Sequence, residues 1–203
     1  MEKPTVSVVI TDLDNTLFDW FHFWYHAFSA MVDEIVRISG LPRDRLLAEI
    51  QPIHEEHGTA EYAFLIEEIP SLRTLHPDGD LIKIYRPAID AYRAARREHL
   101  RLYPGVMETL LTLRERGCLV VAYTESMGFY SNDRLRRLGL DGVIDVLYPP
   151  ADHALPAHVT PDSVRSYPAS HYELRETLHR HTPEGELKPN PQLLLDLIRD
   201  LGT

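Results

Sequence analysis

The sequence predicts an α/β fold: a parallel sheet with helices, interrupted after its first strand by a separate α-helical unit. Three observations predict it. Short β-branched and apolar runs at Thr5 to Thr11, Cys118 to Tyr123 and Val143 to Tyr148 have the composition of buried strands. Helical patterns at Met107 to Arg116 and around Arg134 to Leu138 separate the later runs, which is the alternation of a parallel sheet with right-handed crossovers. From Asp19 to about Leu102, apolar residues recur at helical spacing and strand-like runs are few.

The inserted unit reads as three or four helices in succession. Ala27, Met31, Ile35 and Ile38 line one face of the first. Arg43 to about His57, opened by Pro42, is the second, and Glu61 to Ile69 the third. Asp80 to Leu102 reads as a long fourth helix, with an interruption at Pro87. Tyr103-Pro104-Gly105-Val106 then marks the return to the α/β core, and Gly117 suits the C-terminal cap of the helix before it. The stretch 149–186 is rich in proline and histidine and reads as a long insertion, a solvated loop carrying one helix from Ser170 to His181. A last helix runs from Gln192 to about Asp200. The expected organisation is therefore a core of 1–18 and 103–203, with the insertion 149–186, and a helical unit of 19–102.

Bulk composition narrows the function. The 203 residues, 44% of them hydrophobic, suffice for a sizeable core. A net charge of -10 disfavours a non-specific grip on nucleic acid or an anionic membrane. The lone Cys118 cannot form an internal disulfide and reads as a core residue, which fits a reducing, cytoplasmic setting. No run has the length of a membrane span, and the first residues lack the pattern of a signal peptide.

Asp12 and Asp14 end the first strand run, where open α/β sheets place their chemistry. In a continuing strand both side chains would share one face. Paired carboxylates there can bind Mg²⁺ through oxygen, and one can attack phosphorus while the other handles a proton. A solvated acidic turn is the plain alternative.

Four segments, in order, resemble the haloacid dehalogenase superfamily. They are Asp12-Leu13-Asp14-Asn15-Thr16 after its strand, Val120-Val121-Ala122-Tyr123-Thr124, Leu187-Lys188-Pro189-Asn190-Pro191, and the Tyr103-Pro104-Gly105-Val106 segment before the second strand. The resemblance implies a Rossmann-like core, a helical cap at 19–102, and a Mg²⁺-dependent phosphatase of the phosphoglycolate phosphatase-like branch acting on a small phosphorylated metabolite. Asp12 would be the nucleophile, forming an aspartyl-phosphate. Asp14 would be general acid and base, with Asp12 and the Asp14 carbonyl holding the metal. Thr124 would bind the phosphoryl group near a helix N-terminus, and Lys188 would hold Asp12 and the phosphate. Asp14 also separates ester hydrolysis from dehalogenation, since an alkoxide leaving group needs a proton and a halide does not.

The aromatic run from Trp20 to Phe28 enters the cap, where Trp20 and Phe21 could stack on a flat part of a substrate; internal packing is the plainer reading. His22 and His26 stand one helical turn apart and could share a metal, but no partner acid or cysteine is evident beside them. In the insertion, His153, His158, His171, His179 and His181 are candidates to approach the cleft. Two departures from the family pattern stand out. Glu125 puts a carboxylate beside the phosphate site, shifting substrate choice or weakening activity unless it points away or is paired. The family's fourth motif, an acidic cluster after a further strand, is expected beyond Leu201-Gly202-Thr203, so the core reads as truncated at its C-terminus. A non-catalytic binding or regulatory protein on the same fold is the alternative that this departure raises.

Overall fold

The computed structural model describes residues 6–152, 160, 165 and 167–202. His153 and His158 lie outside the described residues. The chain divides into two compact units, Met1–Asp19 with Arg101–Thr203, and Trp20–Leu100. No helix among the described residues is long and apolar enough to cross a membrane.

The first unit is an α/β sheet structure. Its strands are β1 (Val8–Thr11), β2 (Leu119–Tyr123), β3 (Val146–Tyr148) and β4 (Leu178–His179), in the spatial order β1-β2-β3-β4 and parallel throughout. Val8 pairs with Leu119, Thr11 with Ala122, Val121 with Val146, and Val146 with Leu178. Among the described residues, four helical segments belong with this sheet: α7 (Val106–Glu115) precedes β2, α8 (Gly128–Arg137) links β2 to β3, a 3-10 turn covers Ala169–His171, and α9 (Pro191–Asp200) closes the described chain. Val121, Tyr123, Val146 and Tyr148, one face of the two central strands, pack against Leu193 and Leu197 of α9. Burial on both faces explains why β2 and β3 are near-continuous apolar runs rather than alternating ones.

The insertion is where expectation and structure part. No helix spans Ser170 to His181; the short turn ends at His171 and Leu178–His179 joins the sheet beside β3. The reason is a tertiary anchor. The Asp141 carboxylate accepts backbone N–H bonds from Arg175, Glu176 and Thr177 at 2.9, 3.1 and 3.0 Å. The Thr177 hydroxyl donates to the Ile144 carbonyl at 2.7 Å and accepts from the Gly142 N–H at 2.9 Å. With three consecutive residues thus committed, the chain continues extended, and Leu178 and Arg180 donate to the carbonyls of Asp145 and Leu147. At least this part of the insertion is sheet rather than solvated loop.

The second unit is wholly helical: α1 (Trp20–Ser39), α2 (Arg43–His57), α3 (Leu65–Glu68), α4 (Pro70–Leu75), α5 (Leu81–Ile84) and α6 (Arg86–His99). Its core gathers Met31, Val32 and Ile35 of α1 with Leu46 and Ile50 of α2, Leu72 of α4 and Tyr85. Ala27, Met31 and Ile35 are buried as the periodicity predicts, and Ile38 packs at the margin. The expected helix at Glu61 to Ile69 shrinks to Leu65–Glu68. The Thr59 hydroxyl accepts the Glu61 N–H at 3.1 Å, holding the first residues in a turn instead. Pro70 then opens a helix of its own. The expected long helix from Asp80 is two helices that break at Tyr85, and Pro87 sits in the first turn of α6, where a missing N–H costs nothing. The second ends at His99 rather than Leu102.

Burial pushes the Asp141 carboxyl up, but its three backbone donors outweigh that and hold it below the usual carboxylate range. A depressed folded-state value contributes stability above the unfolded value of about 3.9, lost as pH falls through the folded value. Asp141→Ala is expected to cost about 1.5–3 kcal/mol at neutral pH. Urea unfolding as a function of pH should show the variant and parent curves converging below about pH 3.9.

Candidate active site

Asp12 and Thr124 occupy equivalent places: each is the first residue past its strand, β1 or β2. Because Thr11 pairs with Ala122 in parallel, both lie at the same, carboxyl edge of the sheet. Lys188, 176 residues from Asp12, bridges the two strand ends. Its Nζ donates to Asp12 Oδ1 at 2.7 Å and to the Tyr123 carbonyl at 2.8 Å, and stands 4.6 Å from the centroid of the Tyr123 ring. The Asp12 side chain retains 41% exposure, so the carboxylate is paired yet open to solvent. Asp12, Tyr123 and Lys188, with Asn190, Pro191 and Leu194, line a cavity of about 340 Å³. Burial pushes the Tyr123 phenol up, and the charges of Glu125, Glu186 and Asp12 push it further, so it stays neutral beside the lysine.

Asp14 has a different set of partners. Strand β1 ends at Thr11, so the two acids are not on one continuing strand. Leu13 is fully buried between them, its carbonyl accepts the N–H groups of Thr16 and Leu17, and Asn15 takes a left-handed φ of 55° that asparagine tolerates. After this turn, Arg134 Nη1 donates to Asp14 Oδ1 and Oδ2 at 2.9 and 3.1 Å, and to Ser126 Oγ at 2.8 Å; the Ser126 hydroxyl itself donates to Asp14. Arg134 projects from α8 and its side chain is 0% exposed. Neither Arg134 nor Ser126 was legible as a site residue, since arginines at 134, 136 and 137 look alike as one basic run. Proximity of Ser126 to Thr124 was the one available signal.

Thr124 is buried, and its hydroxyl accepts the Ser126 N–H at 3.1 Å. The first N–H groups of α8 are partly used within the protein: Gly128 donates to the Pro150 carbonyl at 3.2 Å and Phe129 to Asp152 Oδ1 at 2.7 Å. Glu125 is exposed, and its carboxylate accepts the backbone N–H of Lys188 at 2.8 Å. That bond anchors the lysine segment and gives the carboxylate a partner. His179, half-buried, accepts or donates at Asn132 over 3.2 Å and packs its ring 4.6 Å from that of His181.

Trp20 and Phe21 lie in the second unit. Trp20 stacks on Trp24 at 5.6 Å and Trp24 on Phe28 at 5.2 Å, with interplanar angles of 12° and 9°. Their indole N–H groups are used internally, Trp20 on Glu61 Oε2 at 3.1 Å and Trp24 on the Ala60 carbonyl at 3.0 Å. Phe21 remains 59% exposed.

Comparison with known proteins agrees with this architecture. Residues 6–203 match the family described as haloacid dehalogenase-like hydrolase. Glyceraldehyde 3-phosphate phosphatase of Methanopyrus kandleri is 26% identical over 142 residues, 66% of this chain and 58% of that protein. The chain thus spans less than two thirds of that relative's length. A Thermotoga maritima structure with a provisional beta-phosphoglucomutase name superposes with a TM-score of 0.54 at 20% identity, covering 98% of this chain and 72% of that one. The latter likeness is one of fold.

Removing one partner of a buried ion pair strands the other charge, at a cost of about 3–5 kcal/mol. Arg134→Met is expected to lose stability in that range, and Asp14→Leu combined with Arg134→Met to lose clearly less than the sum of the single changes. Urea denaturation of the four members of this cycle measures the coupling.

Proposed function

Because the chain belongs to the haloacid dehalogenase-like hydrolases, we propose that it hydrolyses the phosphate ester of a small phosphorylated metabolite, with Asp12 as nucleophile and Mg²⁺ as cofactor. The observation that supports this reading most is the Lys188 ammonium held 2.7 Å from Asp12 Oδ1 at the carboxyl ends of β1 and β2. A lysine there fixes the attacking carboxylate and offsets the charge of an incoming phosphate dianion. The relative named glyceraldehyde 3-phosphate phosphatase is consistent with a small phosphorylated substrate.

In the proposed chemistry an Asp12 oxygen bonds to phosphorus while the ester oxygen departs, taking a proton from Asp14. The aspartyl-phosphate is then opened by water, whose proton returns to Asp14. Arg134 and Ser126 hydrogen-bond the Asp14 carboxyl group and so fix its orientation for this cycle. In this reading Thr124, the first residue past β2, would position the phosphoryl group. Mg²⁺ would neutralise the phosphate during attack. The donor set fits a hard cation through the half-exposed Asp12 carboxylate. The Asp14 carboxylate is committed to Arg134 and Ser126, so its share in holding the ion would come from the main-chain carbonyl. Glu125, tied to the Lys188 N–H, acts in this reading as a positioning residue for the lysine segment.

Phosphate release from a panel of phosphorylated metabolites, with and without Mg²⁺, tests the reading. Turnover is expected only with the metal, and Asp12→Asn is expected to abolish it without changing the unfolding midpoint. Lys188→Met should lower kcat by about 10²–10³-fold, the loss typical of one preorganised donor. Turnover that survives Asp12→Asn would exclude the nucleophile assignment, and a folded parent chain inactive on the whole panel would favour a binding protein.

A further inference from the structure

We propose that the helical unit carries a transition-metal site of its own, formed by His22, His26 and His99, suited to Zn²⁺ and closed to Mg²⁺. Among the described residues, this is the one trio of His, Cys, Asp or Glu with ligand atoms all within 4.8 Å of one another. His22 and His26 follow one another by a helical turn on α1, so their rings share a face, with centroids 4.4 Å apart. The third histidine closes α6, which packs along α1. Its ring lies 4.1 Å from that of His26, at an interplanar angle of 10°, and 5.3 Å from that of His22. Sequence proximity pointed only to the first two residues; His99 is brought to them by helix packing.

The donor chemistry selects the metal. Imidazole nitrogen suits Zn²⁺, Cu²⁺ and Ni²⁺, whereas Mg²⁺ requires oxygen ligands. Zinc–nitrogen bonds of about 2.0–2.1 Å put tetrahedral ligand atoms about 3.4 Å apart. The ligand atoms, all within 4.8 Å of one another, would draw in to that spacing around an ion, and His22 is exposed while the other two are half-buried, which gives an ion access. Three histidines leave a fourth position for water. The last carbonyls of α6 add a favourable negative dipole end beside His99.

The placement also assigns a consequence. The helical unit runs from Trp20 to Leu100, so the site ties the first turns of α1 to the last residue of α6, the two ends of that unit. A bound ion closes this loop of chain and stabilises the packed pair of helices by mass action.

Isothermal titration of the full chain with Zn²⁺ tests the site. The parent is expected to lose one binding equivalent on His99→Gln, and His26→Gln to weaken that equivalent by more than about 100-fold, beyond the effect of disturbing an outer-shell partner. His181→Gln, a control elsewhere in the chain, should leave the equivalent in place. Co²⁺ in place of Zn²⁺ should give the visible bands of a nitrogen-ligated four-coordinate ion in the parent and not in His99→Gln. Circular dichroism and the metal-free urea midpoint establish that each variant is folded. Unchanged zinc stoichiometry and affinity in a folded His99→Gln protein would overturn the proposal, as would competition by Mg²⁺ at equal concentration.

Discussion

Parallel pairing of β1 with β2 is the constraint on which the candidate site depends. The register that sets Thr11 opposite Ala122 brings Asp12 and Thr124 to one edge of the sheet although most of the chain between them folds as a different unit. Lys188 can then satisfy two acceptors at once, the Asp12 carboxylate and the Tyr123 carbonyl, because those acceptors are neighbours only in this register. A slip by one residue would send alternate side chains to the opposite face and undo both bonds.

Around that frame the charged groups are arranged in two separate pairs. Asp12 with Lys188 is partly open to solvent, whereas Arg134, the partner of Asp14, is fully enclosed. The physics of the two pairs differs accordingly. An accessible pair can exchange its partner for an incoming anion, while an enclosed guanidinium keeps a carboxylate oriented and is costly to leave alone. Glu125 belongs to this economy of charge as well: its bond to the Lys188 N–H turns an apparent electrostatic conflict into part of the scaffold.

The helical unit shows a parallel division between packing and chemistry. Its aromatic run was readable as either a substrate platform or internal packing, and Trp20, Trp24 and Phe28 stack on one another with both indole N–H groups bonded inside the unit. The same helix presents His22 and His26, whose third neighbour comes from the far end of α6. That neighbour is a histidine distant in the chain, and only helix packing brings it close.

The sequence by itself determined the parallel α/β core, the helical insertion, and the positions of Asp12, Thr124 and Lys188. These follow from strong local signals: β-branched runs, helical periodicity, and short motifs whose order matches a family. Tertiary structure alone decided the burial of Arg134 against Asp14, the conversion of an expected helix around Leu178 into a fourth strand, and the meeting of His99 with His22 and His26. In each case the deciding partner is distant in the chain. Asp141 overrides the local preference of the residues it anchors, and no local pattern distinguishes a buried arginine from its exposed neighbours.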